Sequence, residues 1–222
     1  MQIEPIAIFH SPVTSKFGLP RQSGLAPLLP GVVVLTGSYR QPEALRGLED
    51  YDYLWLIWGF SEHVDAPKHS TVRPPILGGN ERWGVWATRS PFRPNNLGLS
   101  SVRIAKVDRE ACRIEVLGAD LLDGTPIYDI KPYLPYADSH PEARSGLAGR
   151  RQWQQLSVRI PDEVAARLGA ADADVLGQLL SQDPRPRYHD DPERAYGLGF
   201  RQWNVRFRVV GDTLTVIGLE EK

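Results

Sequence analysis

Over the first 135 residues apolar side chains recur in short runs, several of them alternating with polar ones. PIAIFH (5–10), GVVVLTG (31–37), WGVWAT (83–88), SVRIAKVD (101–108) and CRIEVLGAD (112–120) are the clearest. Each is rich in β-branched or aromatic residues and is ended by Gly, Pro, Asn or Asp, as strands bounded by turns are. VDREAC supplies a hairpin connection between the last two. QPEALRGLEDYDYLWLIWGF (41–60) predicts a short helix near Pro42 and then a buried strand around LWLIWGF. Strands at this spacing, with few long helices between them, predict a closed or nearly closed barrel rather than a doubly wound sheet.

The pattern changes after residue 135. YADSHPEARSGLAGRRQWQQLS (136–157) reads as a partly flexible connection. PDEVAARLGAADADVLGQLLSQD (161–183) predicts one or two short helices, with Pro161 in a first turn and Val164, Leu168, Val175, Leu179 and Leu180 as core positions. FRQWNVRFRVV, the turn GD and TLTVIGLEE predict a hairpin. Its alternation sets Trp203, Val205, Phe207 and Val209 on one face, with Asn204, Arg206 and Arg208 on the other. The chain is therefore expected to be mainly β. A single-sheet β-barrel domain occupies 1–140, and a small α+β C-terminal domain occupies 141–222.

Composition alters this picture little. A net charge of −1 and 41% hydrophobic residues describe an ordinary globular chain. Cys112 stands alone, so no disulfide forms within the chain, and it reads as a strand cysteine in or near the core. MQIEPIAIFH lacks the basic start and long apolar region of a signal peptide. YLWLIWGF is far too short to span a membrane. The expected location is the cytoplasm.

The distribution of charge is more telling. Arg82, Arg89, Arg93, Arg103 and Lys106 lie in one stretch without an acid, and Arg201, Arg206 and Arg208 in another. A local basic face can hold phosphates while the rest of the surface stays neutral. No GxGxxG or GxxxxGK[ST] loop is present, so a nucleotide cofactor would be held in some other way. The histidines have no HExxH or finger spacing, so no metal is expected. GLS at 98–100 lacks the flanking glycine of a nucleophile elbow.

Three breaker-rich tracts carry arginines: PRQSG (20–24), ATRSPFRPNNLG (87–98) and DPRPRY (183–188). Prolines limit how far such loops wander, and a preorganised loop can aim Arg89 or Arg93 at a carboxylate through paired donors. LLDGTPIYDIKPYLPY (121–136) is either a plain Asp-Gly turn or a backbone-and-carboxylate clamp around a polar small molecule.

Together with RGLEDYDYLWLIWGF (46–60), TVRPPILGGNERWGVWATRSPFRPNNLG (71–98), ADLLDGTPIYDIKPYLPYA (119–137) and FRQWNVRFRV (200–209), these tracts resemble the TrmO family. Its members are S-adenosylmethionine-dependent methyltransferases of transfer RNA that convert N6-threonylcarbamoyladenosine at position 37 to its N6-methyl form, m6t6A. The resemblance covers most of the chain apart from 138–180. It implies a β-barrel methyltransferase domain with a small C-terminal domain, a homodimer, and the tRNA anticodon arm as partner. Cofactor contacts then fall on Pro20, Arg21, Gln22, Arg89, Leu99, Leu122, Asp123, Gly124 and Thr125, with Ser61 and Glu62 where relatives often carry His-Gln. A second departure is PNNLG in place of the commoner PNPIG. DPRPRY would complete the RNA-facing side of the active site, across the dimer from the other subunit's cofactor.

On this reading Asp183 or Tyr188 handles the proton lost from N6. Arg185 and Arg187 meet RNA phosphates or the threonyl carboxylate, and Arg93 and Asn95 join them as substrate-binding candidates. Two other readings compete. One is S-adenosylmethionine-dependent methylation of another RNA nucleoside or of a small metabolite. The other is a non-catalytic RNA-binding module, which would have no use for a closed cofactor pocket.

Overall fold

The computed structural model describes residues 2–63, 67–74, 81–150, 155–185 and 191–222. Its first half holds β1 (Ala7–His10), β2 (Pro30–Leu35), β3 (Tyr53–Gly59), β4 (Thr71–Val72), β5 (Trp83–Gly84), β6 (Leu97–Asp108), β7 (Arg113–Leu117) and β8 (Thr125–Pro132). Six of these strands form a closed antiparallel ring in the order β1-β2-β7-β6-β3-β8. β1 completes it, pairing Ala7 with Leu35 of β2 and with Ile127 of β8. Closure leaves the ring no unpaired edge for another chain to extend. β4 and β5 make a small separate ribbon.

Alternation fills the ring. Val33 and Leu35 of β2, Leu54, Leu56 and Trp58 of β3, and Ile114 and Val116 of β7 all turn inward. There they meet Ala7, Phe9, Val102 and Ile127, because successive side chains of a strand point to opposite faces.

Several expectations need correction. WGVWAT is a strand only at Trp83–Gly84 and then turns as a 3-10 helix over Val85–Ala87. Val85 is buried while Trp86 is 74% exposed, so the run never presents a sheet face. The helix expected after Gln41 is two 3-10 turns, Pro42–Leu45 and Leu48–Asp50, interrupted by the left-handed Gly47. DGTPIYDIKP is more than a turn, since Thr125–Pro132 is a barrel strand paired on both sides. Its two prolines fall at the start and end of the strand, where a missing donor is tolerated. Cys112 is buried, but it lies on the β6–β7 turn at φ 52 rather than in a strand.

A short helix, α1 (Pro135–Asp138), follows β8, and Asp138 accepts the indole N–H of Trp55 at 2.9 Å. The second half contains β9 (Ser157–Arg159), α2 (Asp162–Leu168), α3 (Ala170–Ser181), β10 (Tyr196–Phe200), β11 (Trp203–Val210) and β12 (Thr213–Glu221). Its sheet runs β10-β11-β12-β9, with β9 parallel to β12. The expected hairpin forms, and Trp203, Val205, Phe207 and Val209 bury one face. Val164, Val175, Leu176, Leu179 and Leu180 cover them from the helices, while Leu168 is only partly buried. β10, with two glycines in YGLGF, and the three-residue β9 give too little alternation to be expected from sequence.

The segment 11–29 joins the two halves. It leaves the barrel after β1, and Val13, Ala26 and Leu29 are buried in the second core before the chain returns as β2. Val13 forms a bridge with Phe200, and the N–H of Arg201 donates to the carbonyl of Pro12 at 2.6 Å. No helix among the described residues is long and apolar enough to cross a membrane.

Candidate active site

The antiparallel order brings the end of β3 and the starts of β6 and β8 to the same end of the ring. A cavity of about 560 Å³ opens there, within the size range of small-molecule sites. Ile57, Trp58, Phe60, Leu97, Leu99 and Leu122 form its apolar wall. Lys16, Arg21, Arg89 and Arg93 bring positive charge to it, and the carboxylates of Glu62 and Asp120 also line it. A hollow of about 590 Å³ at the opposite end is bordered by Tyr39, Leu45, Leu48 and Tyr51, with only Arg46 and Asp50 charged.

Most sequence-predicted residues meet at the first cavity. Pro20, Arg21, Gln22, Ser61, Glu62, Arg89, Arg93, Leu99, Leu122 and Thr125 all line it. Asp123 and Gly124 belong to the adjoining turn but are not part of the wall. Asp123 instead accepts from the Ser11 backbone N–H at 3.0 Å and lies 3.2 Å from Nδ1 of His10. Asn95 is exposed on the loop before β6. Asp183 and Arg185 do not line the cavity, and Arg187 and Tyr188 lie outside the described residues.

Local chemistry stiffens the 85–96 loop. The Thr88 hydroxyl donates to the Val85 carbonyl at 2.9 Å, and the Ser90 N–H donates back to that hydroxyl at 3.3 Å. Nη2 of Arg93 donates to the carbonyls of Thr88, at 2.7 Å, and Val85, at 3.3 Å. Arg93 thus lines the cavity while its guanidinium braces the loop. Nη1 of Arg89 donates to Oε1 of Gln22, tying the 20–22 segment to the 88–93 loop.

Beneath the wall runs a polar chain. Trp58 Nε1 donates to Ser100 Oγ at 3.0 Å, and Ser100 Oγ donates to Asp120 Oδ1 at 2.5 Å. Trp58 and Gly98 are paired across β3 and β6, and Ser100 lies two residues further along the same face. Burial pushes the Asp120 carboxyl above its ordinary value, against the hydrogen bond from Ser100 and the charge of Arg89.

At the far end of α3, Arg185 grips Asp183 through a fork. Nε lies 2.8 Å from Oδ1 and Nη2 lies 3.0 Å from Oδ2, the paired geometry that makes such contacts strong. Among the described residues no three His, Cys, Asp or Glu side chains group as a metal site.

Lys16, Trp58, Ser100 and Asp120 were not among the sequence-predicted residues. The available signal was an acid closing the run CRIEVLGAD, but nothing in the sequence sets it against Ser100. That pairing exists only once β7 lies beside β6.

Known proteins resemble this chain over both of its halves. The family model described as the tRNA-methyltransferase O N-terminal domain matches residues 8–139, and that of the TrmO C-terminal domain matches 153–222. The Escherichia coli tRNA (adenine(37)-N6)-methyltransferase is 38% identical, covering 100% of this chain and 98% of its own. A Pseudomonas aeruginosa relative named "Putative S-adenosylmethionine-dependent methyltransferase RcsF" is 41% identical over 91% of this chain and 89% of its own. A crystal structure of TrmO from Pseudomonas aeruginosa superposes with a TM-score of 0.81 at 34% identity, covering 99% of this chain and 98% of that one.

Proposed function

The chain belongs to the tRNA-methyltransferase O family, and on that premise we propose that it methylates N6 of threonylcarbamoyladenosine at position 37 of tRNA, giving m6t6A. The broader activity follows from membership: it is an S-adenosylmethionine-dependent tRNA (adenine(37)-N6)-methyltransferase. The observation that supports the finer substrate is the cavity mouth. A protein of net charge −1 gathers Lys16, Arg21, Arg89 and Arg93 around one apolar hollow. That suits a cofactor with a carboxylate on one side and a carboxylate-bearing nucleoside on the other.

The cavity fits the cofactor's chemistry. Its volume of about 560 Å³ is adequate, Leu97, Leu99 and Leu122 offer apolar surface to a purine, and Arg21 and Arg89 offer donors to the carboxylate end. Asp123 and Gly124 shape the turn that presents Leu122 and Thr125. Ser61 and Glu62, where relatives often carry His-Gln, border the mouth. When bound, S-adenosylmethionine supplies the methyl group, carried on a positively charged sulfur. The protein's part is to orient the acceptor, exclude water and manage one proton.

N6 of the modified adenosine belongs to a urea-like group whose lone pair is delocalised, so removal of its proton restores nucleophilicity. We assign that proton to Asp183 or Tyr188, with Arg185 and Arg187 toward the RNA or the threonyl carboxylate, and Asn95 on the substrate side. Asp183 also orients Arg185 through the fork described above. Because Asp183 and Arg185 do not line their own chain's cavity, the reading includes a homodimer in which the 183–188 loop of one copy serves the other. It also includes the anticodon arm as partner, a cytoplasmic location, and a division into domains near residue 140. Single-turnover rates unchanged by replacing Asp183 and Tyr188 in turn would remove the proton assignment.

The decisive experiment uses labelled S-adenosylmethionine and two matched tRNA pools, one with threonylcarbamoyladenosine and one without. Label at N6 in the modified pool alone is expected. Incorporation in the unmodified pool, or in neither, would overturn the substrate assignment.

A further inference from the structure

The cations that suit a carboxylate create an electrostatic problem for the rest of the proposed ligand. Guanidinium and ammonium groups attract its carboxylate but repel its cationic sulfur. A negative charge inside the cavity is needed to offset them, and two carboxylates among the described residues line it. Glu62 is exposed on the 3-10 turn after β3, where water and salt screen it. Asp120 is partly buried between the end of β7 and the start of β8, where screening is weaker.

Its carboxylate is also aimed. An indole N–H can only donate, so the Ser100 oxygen must accept from Trp58 and turn its single proton to Asp120. Ser100 is 1% exposed, leaving it little freedom to do otherwise. The nearby backbone amides of Asp120 and Ser23 and the charge of Arg89 also favour its charged form, yet burial still opposes ionisation. A cation placed in the cavity supplies the favourable charge that burial takes away.

We propose that Asp120 is the counter-charge that lets this cavity accept a sulfonium among guanidiniums, and that it thereby distinguishes the charged methyl donor from its neutral thioether product. The inference rests on the function proposed above. It assigns a selectivity that the arginines cannot provide, because donor and product share the carboxylate those arginines would hold.

Binding alone tests it. Calorimetric titrations would compare S-adenosylmethionine, S-adenosylhomocysteine and sinefungin, which carries an amine-bearing carbon in place of the sulfonium. Asp120→Asn keeps an acceptor for Ser100 and removes the charge. It is expected to weaken S-adenosylmethionine and sinefungin about ten-fold while leaving S-adenosylhomocysteine within about two-fold. Asp120→Glu, which retains the charge, should keep the preference. Melting curves verify folding, and Asp120→Ser carries the same comparison if the asparagine variant does not fold. Equal weakening of all three ligands would show that Asp120 reads a group they share, and that result overturns the inference, as does no weakening at all. Either result leaves the methyltransferase reading standing, whereas a native protein that binds none of the three overturns both.

Discussion

Gly98 shows how little room the site leaves. A β-carbon there would lie 2.2 Å from Cε2 of the Trp58 indole, so the ring sits directly against the glycine. That contact places the indole N–H over Ser100, and through it sets the direction of the Asp120 carboxylate. Gly98→Ala is expected to lower stability by about 1–3 kcal/mol, as overpacking does, and to shift tryptophan emission; denaturant unfolding followed by fluorescence checks both. Asp120 behaves in the opposite sense. Burial raises its folded value above the ordinary aspartate value, so its contribution to stability is full below the unfolded value. It is then lost as pH rises through the folded one. Asp120→Asn should therefore raise the melting temperature of the ligand-free protein at neutral pH, and the difference should shrink in acid. A melting temperature lowered at every pH would contradict that assignment of cost.

At the scale of elements, the 85–96 loop divides labour between two arginines that look equivalent in RSPFR. Arg93 braces the loop through the Val85 and Thr88 carbonyls, while Arg89 is exposed and reaches Gln22. Arg89→Ala should weaken cofactor binding with the melting curve unchanged. Arg93→Ala should weaken binding and also destabilise the fold by about 1–3 kcal/mol, since the carbonyls of buried Val85 and half-buried Thr88 lose their donor. Identical behaviour of the two variants in paired melting and calorimetry would show that no such division exists. The loop itself was legible in sequence, because prolines and asparagines between apolar runs announce a turn wherever they fall. So were β2, β7 and β11, whose alternation survives intact. β8 was not, since Asp123-Gly124 followed by Pro126 reads as an extended turn until β1 and β3 pair with it on both sides. The Ser100–Asp120 contact was illegible for a related reason. Twenty residues separate the partners, and only the barrel's register brings them together.

The whole molecule is less divided than its two cores suggest. Residues 11–29 belong by sequence to the barrel half, yet they help fill the second core, and the same segment carries Pro20, Arg21 and Gln22 into the cavity. Gly18 marks how tightly they are joined, for it has φ +100 and a β-carbon on it would lie 2.2 Å from Leu198. Calorimetric unfolding is expected to show one transition rather than two, because neither half can lose its core without uncovering this segment. Two separated transitions would show that the halves melt independently. The same threading sets a timetable during synthesis. The barrel cannot close until β8 has been made to pair with β1, and Val13 must wait for Phe200. At ordinary ribosomal speeds that is roughly 10–40 s during which an apolar segment has no sheet to cover it. A nascent chain of this design is exposed to proteases and to its neighbours for almost the whole of its translation, and slow codons late in the message would lengthen that exposure.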